Sequence, residues 1–206
     1  MNSIARKIGF LAASLTVFAF GCSASDAPSE LGVAQDAESL HGSYVCPAGV
    51  PAAIAPAADQ TIKGMYNAVG VQVYICNGAA AGPTWTFVAP QANLMRDDGK
   101  LVATHFIGPT WQGSDGSSVV GVKAAASTVD ATAIPWLLLT ASSHADADGF
   151  FQDVTSIQRL GTVGGIAPAT GCDADHLGTI AQVPYSAEYV FYKQKTKGKV
   201  VQCAGN

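Results

Sequence analysis

Between His105 and Ser117 the sequence gathers an imidazole, an indole and a carboxylate, with His105, Trp111 and Asp115 placed around a Gly108-Pro109 turn. On adjacent short strands these three would line a ligand cleft, the indole giving a flat apolar face and the other two giving polar edges. The plainer reading puts Trp111 in the core, Asp115 in a turn and His105 in a structural hydrogen bond. Ser114 would complete a serine, histidine and carboxylate set of the kind that hydrolyses acyl bonds, because such triads are recognised by geometry and not by chain order. Trp85 and Trp136 could also stack on a sugar or aromatic ring, although indoles in a β-domain of this size are more often core.

A second grouping, His144-Ala-Asp146-Ala-Asp148-Gly149, alternates nitrogen and oxygen donors before a glycine and superficially resembles a calcium loop. It departs from the EF-hand pattern: His144 stands at the first ligand position and Thr155 where a bidentate Glu is needed. Asp173, Asp175 and His176 could add ligands to this group if the fold brings them close, and a metal-assisted enzyme using His105 with His144 or His176 is the alternative from a different functional class. The other catalytic templates are missing. There is no Gly-x-Ser-x-Gly elbow, no phosphate-binding loop with Lys and Ser/Thr, and no His-Glu-x-x-His. Gly161-Thr-Val-Gly164-Gly165 lacks the strand-to-helix context of a dinucleotide fingerprint, and no cofactor is expected.

The elements that must position these residues read as strands. The chain is 49% hydrophobic and 13% charged, with 22 glycines and 10 prolines, which suits short strands and tight turns. In Val71-Gln-Val-Tyr-Ile-Cys76 the alternation puts Val71, Val73 and Ile75 on one face and Gln72, Tyr74 and Cys76 on the other. Further strands are expected over 84–88, 91–95, 100–106, 118–126, 134–140, 152–160, 179–183, 186–193 and 199–203. Asp98-Gly99 and Asp115-Gly116 are hairpin turns, since Asp-Gly suits successive positive-φ positions. Pro135 puts the start of its strand at an edge or bulge. The expectation is one all-β domain over 44–206, an antiparallel sandwich or barrel with short loops, stapled by disulfides. Lys193, Lys195, Lys197 and Lys199 would fall on one side of a final strand and guard an exposed edge.

The first residues read as an export signal. Arg6 and Lys7 precede the uncharged apolar run Ile8–Phe20, and Gly21-Cys22 follows. The run is too short to span a bilayer comfortably. It resembles the leader of a bacterial lipoprotein, with a signal peptide over 1–21 and acylation of Cys22, although Ala19 and Phe20 are not the usual residues before that cysteine. Cleavage after Ala24, giving a secreted form, is the other option. Residues 22–43 hold few large apolar side chains and are expected to be a flexible tether. The formal charge of −4 falls to about −6 once Arg6 and Lys7 are removed, so nucleic acid is not an expected partner. Five cysteines leave four when Cys22 is set aside, and four thiols allow three pairings. No two form a C-x-x-C pair of the zinc type.

Several of these segments in order carry a resemblance. Val71-Gln-Val-Tyr-Ile-Cys76, Trp85-Thr-Phe87 with Ala89-Pro90, and His105-Phe-Ile-Gly-Pro-Thr-Trp111 are three of them. They are followed by Ile134-Pro-Trp-Leu-Leu-Leu139, Ile157-Gln-Arg159, Gly171-Cys172-Asp173 and Val183-Pro-Tyr185. Together they resemble the domain-of-unknown-function family numbered 3455, over about Val50 to Tyr192. The resemblance implies one secreted domain and brings no catalytic residues. It also implies the pairing of cysteines: Cys76 and Cys172 have counterparts in the family pattern, whereas Cys46 and Cys203 lie outside it, giving bridges Cys76–Cys172 and Cys46–Cys203.

The function expected from these residues is an exported β-domain, held at the outer membrane by lipid on Cys22. It would bind a small molecule, such as a glycan, at His105, Trp111 and Asp115 without catalysis. A purely structural or partner-binding envelope protein is the third expectation.

Overall fold

The computed structural model describes residues 44–145 and 148–196. The expected leader and tether, the lipidation residue Cys22, Asp146, Lys197, Lys199, the strand 199–203 and Cys203 lie outside the described residues. Eight strands account for most of the described chain: β1 (Gln60–Asn77), β2 (Thr84–Met95), β3 (Leu101–Phe106), β4 (Thr110–Gly113), β5 (Ser118–Ser127), β6 (Trp136–His144), β7 (Val154–Gly164) and β8 (Ile180–Gln194). Each pairs antiparallel with the next, and β8 returns to pair with β1, so the sheet closes into a barrel. The all-β expectation holds, and of the two architectures left open the barrel is the one formed.

Two long strands replace pairs of short ones. Residues 84–88 and 91–95 are one strand, β2, and 179–183 and 186–193 are one strand, β8. Pro90 and Pro184 do not break them because each lies just past the end of a ladder. The β2–β3 pairing stops at Ala92↔His105 and the β7–β8 pairing at Gly164↔Tyr185, so a missing amide hydrogen costs no ladder bond there. Pro135 immediately precedes β6, at the start of that strand. The Asp-Gly turns join β2 to β3 and β4 to β5, with Gly99 at φ 79° and Gly116 at φ 86°. Closure also removes the edge that the lysine row was expected to guard. Lys193 sits between Thr61 and Val154, and its ammonium reaches Asp153 at 3.7 Å.

The interior is filled at one end by Leu94, Ala103, Val119, Ile157 and a group of aromatic rings that includes Phe151 and Phe191. Outside the wall a smaller cluster of Ile54, Ile62, Leu160, Val190 and Tyr192 lies under the 3₁₀ turn Ala52–Ile54. Gln158 Nε2 donates to the Ile54 carbonyl, and the Tyr192 hydroxyl donates to Gln158 Oε1 at 2.6 Å, which fixes that turn to the barrel. Full burial of Ile54 there contributes about 1.5–3 kcal/mol.

Cys76 and Cys172 form a disulfide, as the family resemblance implied. It fastens the β7–β8 connection, residues 165–179, to the end of β1. That connection is the exception to the expected short loops. Cys46 is also disulfide-bonded, and Cys203, the partner expected for it, is outside the described residues.

Candidate functional site

The strand order gives the barrel two ends. One carries the connections 78–83, 107–109, 128–135 and 165–179, and the other carries 96–100, 114–117 and 148–153. At the first end lies a cavity of about 200 Å³. Apolar side chains of Phe87, Pro90, Leu137 and Leu139 make much of its wall. Polar and aromatic groups of Gln72, His105, Trp111, Lys123, Arg159 and Tyr189 complete it. An eight-stranded barrel has an interior just wide enough to be packed or to hold one small ligand, and this one is packed at one end and keeps a cavity at the other.

His105 and Trp111 are direct cross-strand partners on β3 and β4, so both side chains project to the same side. Their rings stack with centroids 4.2 Å apart and planes 7° apart. Tyr189 meets both edge-on, at 5.2 Å from His105 and 5.4 Å from Trp111. Gly121 on β5 makes room for the indole: a Cβ there would stand 3.0 Å from Trp111 Cζ3. His105 Nδ1 lies 2.9 Å from the Thr110 carbonyl oxygen. A carbonyl can only accept, so Nδ1 carries the proton and Nε2 keeps its lone pair. Burial drives the imidazole pKa down to about 3; the Thr110 hydrogen bond opposes that shift, and the nearby Arg159 charge adds to it. His105 is therefore neutral at physiological pH.

Two cavity residues hold buried donors that lack a well-formed hydrogen bond, although the Gln72 side chain lies close enough to the Tyr185 hydroxyl to favour its ionised form. Gln72 Nε2 and Trp111 Nε1 have no hydrogen-bond partner among the described residues, on side chains that are 2% and 1% exposed. A buried donor left unpaired costs about 1–3 kcal/mol, so native proteins seldom keep one without a use. Gly165, at φ +79°, lets the 165–179 connection pass close to Gln72, with 3.1 Å from a hypothetical Cβ to Gln72 Cγ. Arg159 on β7 donates through Nε and Nη2 to the Pro135 carbonyl. Its charge favours ionisation of Tyr74, Tyr185 and Tyr189, but burial is the larger effect and raises all three phenol pKa values. No Asp or Glu among the described residues lines the cavity.

The structure brings His105 and Trp111 together and separates Asp115 from them. Asp115 sits in the β4–β5 turn at the opposite end of the barrel. There its carboxylate accepts from Ser117 N, Ser117 Oγ and Phe150 N. The chain-order argument failed because β4 runs the length between them: Trp111 and Asp115 are near in sequence but on different rims. Ser114 lies in the same distant turn, its amide donating to Val102. His144 is also at that end, with Nε2 donating to the Val154 carbonyl, and Asp148 is exposed. His176 is exposed in a 3₁₀ turn and paired with Asp173 at 2.6 Å. Among the described residues no group of three His, Cys, Asp or Glu is placed to hold a metal ion. Trp85 donates to the Thr170 carbonyl and Trp136 packs on the outer cluster, so each indole has a structural task.

Gln72, Lys123, Arg159 and Tyr189 were not among the site residues expected from sequence. Gln72 carried a signal, as the polar member inside the apolar alternation of 71–76. Its face, not the Val71 and Ile75 face, looks into the cavity.

A family model with the description "Protein of unknown function (DUF3455)" matches residues 56–193. No curated protein and no solved structure matches the chain.

Proposed function

We propose that this chain, which belongs to the protein family of unknown function DUF3455, is an exported envelope barrel that binds a small molecule without catalysis in the cavity beside His105 and Trp111. The observation that carries this reading is the pair of buried donors, Gln72 Nε2 and Trp111 Nε1, in one largely apolar cavity. These donor atoms are covered by the wall, and a ligand that displaced the covering side chains and brought acceptors to them would recover the cost of leaving them unpaired. Pockets of this kind, apolar with a few convergent polar groups, are the usual form of a small-molecule site.

Export is supported by the leader-like residues Arg6 to Cys22 and by the Cys76–Cys172 disulfide, which belongs to an oxidising compartment. Lipid on Cys22 would hold the barrel at the outer membrane. An intact mass of membrane-extracted protein tests this: acylation adds the mass of the lipid to a chain beginning at Cys22, whereas a free chain beginning at Ser25 overturns the anchor.

Binding is tested by thermal unfolding of the exported, oxidised chain with a panel of apolar acids, alcohols, amines and oligosaccharides. A ligand that binds only the folded state adds about 2.7 kcal/mol of stability at a hundredfold excess over its dissociation constant. The shift should be lost in Gln72→Leu and kept in Asp115→Ala. A shift lost in neither variant places the ligand elsewhere and overturns this cavity as its site.

A further inference from the structure

The cavity's chemistry narrows the ligand, and the inference rests on the binding reading above. Trp111 Nε1 can only donate a hydrogen bond, and Gln72 presents an amide nitrogen. Arg159 and Lys123 bring two cations to the lining, and no carboxylate among the described residues offsets them. Arg159 gives Nε and Nη2 to the Pro135 carbonyl and also reaches the Tyr189 hydroxyl, so its contribution to the cavity is chiefly its positive charge. His105 adds no charge, because its Nδ1–H is committed to Thr110 and the ring is neutral. A polar ligand group that met this set would need to accept hydrogen bonds and carry negative charge. The rest of the wall is apolar, from Phe87, Pro90, Pro109, Leu137 and Leu139. A sugar would bury many hydroxyls against such a wall with too few partners for them, which is costly.

Size sets a second bound. The space of about 200 Å³ is below the ~300–1,000 Å³ of sites for drug-sized ligands. It suits one ring with a short side chain, or a short acyl chain whose far end leaves past Phe87 and Val88, both partly exposed at the lip.

We propose that the ligand is a small, mainly apolar carboxylic acid, bound as its carboxylate by the Gln72 and Trp111 donors with Arg159 and Lys123 supplying the complementary charge. An aromatic acid and a medium-chain fatty acid share this chemistry.

The test is calorimetric titration of the exported, oxidised chain with five probes: phenylacetate, 2-phenylethanol, phenethylamine, octanoate and 1-octanol. The expected result is that one or both acids bind at least about tenfold more tightly than the alcohol or amine of the same skeleton. Which acid binds separates an aromatic source from an acyl-chain source. Gln72→Leu and Trp111→Phe should each weaken acid binding and remove most of its advantage over the matched alcohol, and a thermal melt of each variant confirms that it is folded. Alcohol or amine binding as tightly as the matched acid overturns the carboxylate assignment and leaves a ligand-binding barrel standing. If no probe binds and the wider panel of oligosaccharides also fails, the binding reading itself falls.

Discussion

The His105 imidazole lies flat against the Trp111 indole, 4.2 Å between centroids, because the two residues oppose each other directly in the β3–β4 ladder. That stack ties a titratable ring to a cavity indole that can only donate. Removing water from around His105 makes its charged form costly, so the ring stays neutral well below the pH at which an exposed histidine would take a proton.

A stability consequence follows from this depressed pKa. In the unfolded chain His105 titrates near its ordinary value of about 6.5, and in the folded barrel near 3. Between those values the unfolded state holds a proton that the folded state lacks. The contribution is therefore fully present above about pH 6.5 and is lost as pH falls towards 3. Glu188, whose carboxyl is raised by burial and by Asp97, works in the opposite sense, and the useful quantity is the difference from His105→Phe. Urea unfolding should show the wild type losing about 2–3 kcal/mol relative to that variant between pH 6.5 and pH 4.5. A difference that stays flat would mean the imidazole protonates freely in the folded barrel.

Gln72→Leu should behave unlike most core substitutions. It replaces a buried donor that lacks a well-formed hydrogen bond among the described residues, with only the Tyr185 hydroxyl near it, by an apolar group of similar volume, and such an exchange is neutral to stabilising. The ligand-free variant is expected to gain about 1 kcal/mol, read as a higher urea midpoint at unchanged slope. Loss of stability by a similar amount would mean that the amide holds the barrel together and is not kept for a ligand.

The all-β fold was legible because its signals are local. Alternation, Asp-Gly turns and the spacing of strands depend on neighbouring residues, and each reappears in β1, β2–β3 and β4–β5. The choice between sandwich and barrel was not legible, since it depends on β8 meeting β1 across most of the chain. The cavity wall was legible in part for the same reason. The nearness of His105 and Trp111 could be read because one tight turn makes them partners. Gln72 and Arg159 reach the cavity from β1 and β7, and no short-range pattern links them. Asp115 shows the reverse error, in which nearness in sequence was taken for nearness in space.

Loss of the Cys76–Cys172 bridge should act on both stability and the cavity rim. The two cysteines are 96 residues apart, and cutting a crosslink of that span commonly costs about 2–5 kcal/mol. The 165–179 connection would keep only its hydrogen bonds, among them Tyr74 to the Gly165 carbonyl, Trp85 to the Thr170 carbonyl and Gly178 N to the Cys76 carbonyl. In a Cys76→Ala, Cys172→Ala double variant, hydrogen exchange should quicken at Gly178 and Gly165 before it changes in β3 or β4. Uniform quickening throughout the barrel would show that the bridge stabilises the fold as a whole and not this connection.

Asp115→Ala separates the role that the residue has from the one its position in the sequence suggested. Its carboxylate takes three hydrogen bonds, and the strongest influence on its pKa is the Phe150 amide, which with the Ser117 donors holds it below the usual carboxylate range. A depressed carboxyl contributes stability that is present above its unfolded pKa, near 4, and lost as pH falls through the folded value. Truncation takes the acceptor from the buried Ser117 as well as from the exposed Phe150 amide, at a cost of about 1–3 kcal/mol that falls mainly on Ser117. Ser117 Oγ still accepts from Phe151 N, so the 149–151 turn should loosen without detaching. Denaturant unfolding at pH 7 should show the loss, and the gap from the wild type should shrink as the pH drops below 4. Ligand affinity should stay within about twofold of the wild type, because the turn and the cavity are on opposite ends of the barrel and distant sites act independently. A large fall in affinity with little loss of stability would return Asp115 to the binding site and place the ligand outside the cavity proposed for it.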